Sequence, residues 1–328
     1  MKEPIAPYPL KFIPQLKEKV WGGSKLASSL NKGTSKSIGE SWEISAVTGH
    51  VSVVANGAWK DSYLDALIHD FPKEILGSSV FEQYGAQFPL LFKFIDAKED
   101  LSVQVHPNDE VAKRRHQSFG KTEMWYILQA DRDSRLILGF ENKVNKETYL
   151  EHLSEGKLLD MLHEEPVTRG DAFYLAPGTV HAIGGGILLA EIQQTSNITY
   201  RIYDWDRPDI NGEFRELHTQ EALDVIDFAP STAKLDYKSF TNQNNLICES
   251  PYFVTSEIRL TKPMVKDYKN LDSFVVYMCV DGSMKITTKD ADVSLQKGET
   301  VLLPAAIKEV VLTSENATIL EVFVPNNL

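Results

Sequence analysis

Short runs of β-branched and aromatic residues recur along almost the whole chain, and they limit the fold more than any single motif does. "SWEISAV", "HVSVVAN", "FPLLFKFIDA", "LSVQVH", "EMWYILQA", "SRLILGF", "DAFYLAP", "GILLAEIQQ", "ITYRIYDW", "YFVTSEIRL", "FVVYMCV", "SMKITT" and "ETVLLPA" each have the length and residue types of a strand. Clusters of Gly, Pro, Asn and Asp separate them. Many short strands at close spacing predict an all-β sandwich or barrel. Two stretches have a helical period instead. In "WKDSYLDALIHDFPKEILG" the apolar residues Tyr63, Leu64, Leu67 and Ile68 share one helical face until Pro72 interrupts it. "NKETYLEHLSEGKLLDMLHEE" predicts a helical insertion near residues 142–165, broken at Gly156.

A weak internal repeat divides the strands into two sets. "RGDAFYLAPGTVHA" from Arg169 matches "KGETVLLPAAIKEV" from Lys297, so Gly170 corresponds to Gly298, Ala176 to Pro304 and His181 to Glu309. Upstream, "WYILQA" from Trp125 aligns with "VYMCVDG" from Val276, which puts Glu123 opposite Phe274. The polar, turn-rich stretch 227–245 is the expected boundary, giving one domain over 1–235 and another over 236–328. Only the first repeat carries residues suited to chemistry.

A chain of 328 residues has the length for two cores of this kind. Its net charge of −12 argues against nucleic acid and anionic membrane surfaces as partners, but a small anion needs only a few local cations. No apolar run is long enough to span a bilayer, and the N-terminus breaks its apolar residues with prolines and charges, so a cytoplasmic location is expected. The two cysteines, Cys248 and Cys279, sit in apolar settings and are expected to be buried thiols rather than a disulfide or metal ligands. Oligomeric state is open between monomer and homodimer.

Within "LSVQVHPNDE", side-chain alternation sends Val103 and Val105 to one face and Gln104 and His106 to the other. Glu123 opens a later strand, and His181 follows the turn in "APGTVH". If these strands enclose one lumen, two imidazoles, a carboxylate and an amide oxygen converge as a mixed N/O set. Such a set suits Zn²⁺, ahead of Fe²⁺, Mn²⁺, Co²⁺ or Ni²⁺. Taken singly, each residue also has an ordinary reading as a loop cap, a core hydrogen bond or an exposed strand end. His50, His69, His116, His152, His163 and His218 lack such partners and are expected at the surface. "GGG" at 184–186 lacks the spacing of a phosphate loop and is expected to give the cavity mouth conformational freedom.

"QVHPND", "GKTEMWYIL" and "PGTVHAIGGGILLAEIQQTSNITYRIYDWDR", together with "VWGG" and "GESWEIS", resemble the type I mannose-6-phosphate isomerases in their short bacterial form. The resemblance spans residues 20 to about 207, and the C-terminal repeat fits the family's second domain. It implies a mainly β fold of two cupin barrels (jelly rolls, double-stranded β-helices), the second free of metal. It implies one Zn²⁺ per chain held by Gln104, His106, Glu123 and His181. It also implies catalytic roles for Arg201, Lys121 and Glu191, and interconversion of mannose 6-phosphate and fructose 6-phosphate through a cis-enediol. From the residues alone, the preferred reading of Arg201 is a surface arginine paired with Asp204 or Asp206. A cupin oxygenase using Fe²⁺ and a non-enzymatic sugar-binding cupin are the other readings. The amide ligand speaks against the first, and the Arg201, Lys121 and Glu191 constellation is superfluous for the second.

Overall fold

The computed structural model describes residues 6–326. Two jelly rolls pack side by side. In the first, a seven-stranded sheet faces a five-stranded one. The seven run in the order Lys234–Leu235, Ala172–Leu175, Glu123–Ala130, Ile187–Gln194, Leu90–Ala97, Gln15–Gly23 and Ile38–Ile44. The five run Tyr200–Tyr203, Val103–Val105, His181–Ile183, Arg135–Phe140 and Leu162–Pro166. The second jelly roll is built around Val275–Thr287. Its first half pairs with Thr300–Leu303 and Ala317–Phe323, and its second half crosses to pair with Asp292–Gln296 and Glu309–Thr313. The N-terminal Leu10–Lys11 joins this second unit through Thr300–Leu303. The fold class is therefore as expected, with each unit a pair of facing sheets and not a continuously closed barrel.

Alternation along the central strands creates two cores at once. Trp125, Ile127, Ile187, Leu189 and Ile95 face the first lumen. The intervening Met124, Tyr126, Leu188, Ala190, Ile192, Phe92 and Phe94 face the other way, against Phe253, Phe274, Val276, Met278, Leu320 and Val322 of the second unit. A strand buried on both faces has no polar alternation to show, which is why "FPLLFKFIDA" and "GILLAEIQQ" read as nearly continuous apolar runs. Burying an aliphatic or aromatic side chain is worth about 1.5–3 kcal/mol, so this shared core binds the two units firmly. On the outer face of the five-stranded sheet, Val103, Val105 and Ile202 pack under Tyr149, Leu158 and Met161. The helical insertion is thus the lid on that sheet.

The structure adjusts several local expectations. The insertion forms a helix over Lys146–Ser154, N-capped by Asn145, but Leu162–Pro166 is a strand paired with Arg135–Phe140. Pro72 does not merely interrupt a helix; it starts a second one, Pro72–Leu76, and Ser78–Tyr84 follows as a third. "HVSVVAN" makes only isolated bridges, Val54 with Phe12 and Val53 with Tyr63. Pairing also moves the internal repeat by one residue. Glu123 lies opposite Leu175 as Val275 lies opposite Leu303, so the counterpart of Glu123 is Val275, not Phe274. A one-residue slip changes the face: Val275 belongs to the second lumen, Phe274 to the core between the units. On the same register Glu191 corresponds to Glu321, opposite Trp125 and Tyr277 respectively.

Candidate active site

Gln104 and His181 are direct cross-strand neighbours, and Arg201 lies opposite Gln104 on its other side. Glu123 reaches them from the facing sheet. His106, Glu123 and His181 are the one group among the described residues whose donor atoms cluster as a metal site would need, all within 4.8 Å of one another. His106 Nε2 is 3.4 Å and His181 Nε2 3.7 Å from the Glu123 carboxylate. Gln104 places its amide 3.3 Å from His181 Nε2. Turning that amide over presents Oε1 in place of Nε2.

The backbone fixes how these rings point. His106 Nδ1 donates to the Ile198 carbonyl and His181 Nδ1 to the Thr179 carbonyl, each at 2.9 Å. Each Nε2 is left with its lone pair aimed inward, as metal-ligating imidazoles require. Burial pushes His181 down to about 4, and burial with the Lys121 charge holds His106 well below its ordinary value. Both are neutral bases at pH 7. Burial pushes Glu123 up to about 7, against the pull of Lys121 and with Glu191 adding to the rise. Neither Glu123 oxygen receives a well-directed hydrogen bond, although Lys121 Nζ stands 2.5 Å from Oε1 as an ion partner. Convergent lone pairs, a fully buried carboxylate without aligned donors and fixed imidazole tautomers together fit a bound cation.

A cavity of about 490 Å³ opens beside this cluster, lined by Gln104, Lys121, Glu191 and Arg201 among others. Its wall holds six cationic side chains against two carboxylates, in a protein whose net charge is −12. Low-dielectric walls focus that field on an anion. Lys17, Lys19, Glu40, Lys93 and Arg215 line it too and were missed by sequence reasoning. The signal was there in part: Lys17, Lys19 and Trp21 alternate along Gln15–Gly23, and Glu40 and Trp42 along Ile38–Ile44. His50 also lines this cavity, its Nδ1 2.9 Å from Lys17 Nζ, so it is not the plain surface residue expected. None of Gly184, Gly185 or Gly186 lines it. Gly184 is required by close packing, since a Cβ there would meet the Arg135 carbonyl at 2.2 Å, and Gly186 also by its left-handed φ of 87°.

Glu191 is buried and doubly bonded, Oε1 to Lys93 Nζ at 2.7 Å and Oε2 to Trp125 Nε1 at 2.9 Å. Burial alone would raise its pKa; Lys93 and Lys121 outweigh burial and hold it below the ordinary value. Glu40 is held at about 2, where Lys19, Lys93 and Trp42 overcome the same penalty. Lys121 Nζ is 3.0 Å from His106 Nε2, next to the donor cluster. Asp204 is shared between two arginines. Arg215 takes that carboxylate bidentately, Nε to Oδ2 at 2.7 Å, while Arg201 stands at 3.9 Å, its Nη1 donating to the Glu216 carbonyl at 2.8 Å and its Nε without a hydrogen-bond partner. Asp206 accepts from Tyr203 instead. A larger cavity of about 720 Å³ lies across the 195–198 loop; it shares only Asn197 with this one and touches none of the metal candidates.

Comparison with known proteins agrees with this geometry. Residues 10–133 match the family model "Phosphomannose isomerase type I, catalytic domain", and residues 242–324 match "Mannose-6-phosphate isomerase, cupin domain". The chain is 35% identical to a mannose-6-phosphate isomerase of Streptococcus mutans, over 92% of this chain and 93% of that protein. Identity to the mannose-6-phosphate isomerase ManA of Bacillus subtilis is also 35%, covering 92% and 94%. The crystal structure of the mannose 6-phosphate isomerase from Bacillus subtilis superposes with a TM-score of 0.87 at 31% identity, covering 96% of this chain and 99% of that one.

Proposed function

The chain belongs to the type I phosphomannose isomerase family, and on that premise we propose that it interconverts mannose 6-phosphate and fructose 6-phosphate through a cis-enediol, with one Zn²⁺ held by Gln104, His106, Glu123 and His181. The observation that carries this reading is the junction of a buried His–Glu–His cluster with a cation-rich cavity large enough for a phosphosugar. When bound, the zinc supplies an electrophile for the carbonyl and enediolate oxygens.

The chain's own residues divide the remaining work. Lys121, beside the cluster, is placed to hold negative charge on the reacting oxygens. Arg201, hydrogen-bonded to the Glu216 carbonyl and only weakly paired with Asp204 because Arg215 holds that carboxylate, offers the cavity its remaining guanidinium donors for phosphate. Glu191 is the proposed base, lifting the C2 proton and returning it to C1. Lys93 keeps it ionised, and Oε2 can leave the neutral Trp125 donor without unpairing a charge. A coupled assay for fructose 6-phosphate tests the reading: activity is expected, lost with EDTA and restored by zinc. Undiminished activity in metal-free protein would defeat the metal assignment, and no activity with any loading would defeat the isomerase assignment.

A further inference from the structure

We propose that the second jelly roll, which has no metal cluster among its described residues, acts on the first one's metal centre through Tyr252, a positioning residue that fixes Asp109. The proposal rests on the zinc reading above.

Asp109 is a junction of the segments that carry the ligands. It stands three residues after His106 and opens the helix Asp109–His116, which Asn108 caps. Its Oδ1 accepts from the Gly120 amide at 2.8 Å and from Gln194 Nε2 at 2.9 Å. Gly120 leads directly into Lys121, Thr122 and Glu123. A Cβ there would meet the Asp109 amide at 2.6 Å, so the two turns are pressed together. Gln194 Oε1 in turn accepts from the Thr122 amide at 2.9 Å. Gln194 also starts the loop whose Ile198 carbonyl orients the His106 ring. One carboxylate thereby ties the His106 turn, the approach to Glu123 and the loop behind His106 into a single unit.

Both of these donors belong to the first jelly roll. The third does not: Tyr252 donates its hydroxyl to Asp109 Oδ2 at 2.6 Å. It sits on the turn between Asn244–Glu249 and Val254–Leu260. Ser250 Oγ accepts from the Tyr252 and Phe253 amides, and Phe253 is fully buried in the core between the two units. The tyrosine is therefore held from the second unit, and its hydroxyl is the buttress that reaches the junction. A charge-assisted bond to a carboxylate is the strong kind, and outer partners of metal ligands set their geometry.

Tyr252→Phe removes only that hydroxyl. Zinc transfer from the loaded protein to a chromogenic chelator should become faster by up to about tenfold, the value for losing a partner bonded directly to a ligand, since Tyr252 acts further out through Asp109. Asp109→Asn should act in the same direction. Tyr268→Phe removes a buried hydroxyl from the second unit's own lumen and should leave the transfer rate unchanged. An unchanged rate in Tyr252→Phe overturns the proposal. So does equal acceleration in Tyr268→Phe, which would mark a general loosening. A wild-type chain that holds no zinc overturns the metal reading and this proposal with it. Zinc-loaded wild type with an indifferent Tyr252→Phe overturns this proposal alone.

Discussion

Replacing Lys93 with Met probes the charge balance on which the cavity depends. Lys93 Nζ is 2.7 Å from both Glu191 Oε1 and Gln193 Oε1, with side-chain exposures of 8% for Lys93 and 4% for Glu191. Water therefore screens the pair little. Removing one partner of a buried ion pair costs about 3–5 kcal/mol, because the other charge is left desolvated. The cost depends on pH. In the wild type, Glu191 is held below its ordinary value, so its contribution is present above the unfolded carboxyl range and is lost as pH falls through the folded value. Without Lys93, burial dominates and the folded value rises above the unfolded one, so the variant regains stability as pH falls towards the unfolded value. Lys93→Met should thus lose about 3–5 kcal/mol at pH 8 and clearly less at pH 5, read from urea unfolding of metal-free protein. Adding Glu191→Gln should recover most of the loss, since the carboxylate bonded directly to Lys93 is then gone, while Glu40 keeps Lys19 and Trp42 as partners. A double variant as unstable as the single one, or a Lys93→Met with the pH profile of wild type, would refute the reasoning.

Arg201→Ala should lower kcat/KM by about 10²–10³, in line with removal of one preorganised donor for developing or transferred charge, while zinc content stays unchanged. Arg201→Lys should rescue little, because an ammonium lacks the planar fork; full rescue would reduce Arg201 to a point charge. Zinc affinity should fall about tenfold per pH unit below about 7, because Glu123 must release a proton to bind, whereas the neutral His181 begins to compete only near 4. Calorimetry in buffers of different ionisation enthalpy would read that proton, and a flat affinity from pH 7.5 to 5.5 would mean Glu123 is already ionised.

The legible part of this protein was whatever alternation or spacing records. Gln104 lies on a short strand, Val103–Val105, whose valines pack outward, and His106 just past its end keeps the same alternation, so their common inward face was readable. The fold class followed from strand length and turn chemistry, and Cys248 and Cys279 are buried free thiols as their apolar settings suggested. What was not legible depends on pairing between distant segments. Lys93 interrupts an apolar run buried on both faces, and only its register against Glu191 gives it a partner. Arg215 acquires meaning by taking Asp204 from Arg201, a competition that local sequence does not encode. Leu162–Pro166 has too few alternating residues to announce a strand and exists because Arg135–Phe140 offers it an edge. The one-residue shift between Phe274 and Val275 belongs to the same class, since only the ladder opposite Leu303 sets it.

The most direct test of the account is X-ray absorption at the zinc edge on purified protein, paired with metal content. One zinc per chain is expected, with two imidazole nitrogens and oxygen neighbours at about 2.0–2.2 Å and no sulfur. His181→Ala should lose the metal while its strand content survives, since the ligand stands on a packed sheet. Sulfur neighbours, or stoichiometric zinc retained by His181→Ala, would contradict the assignment of the site to Gln104, His106, Glu123 and His181.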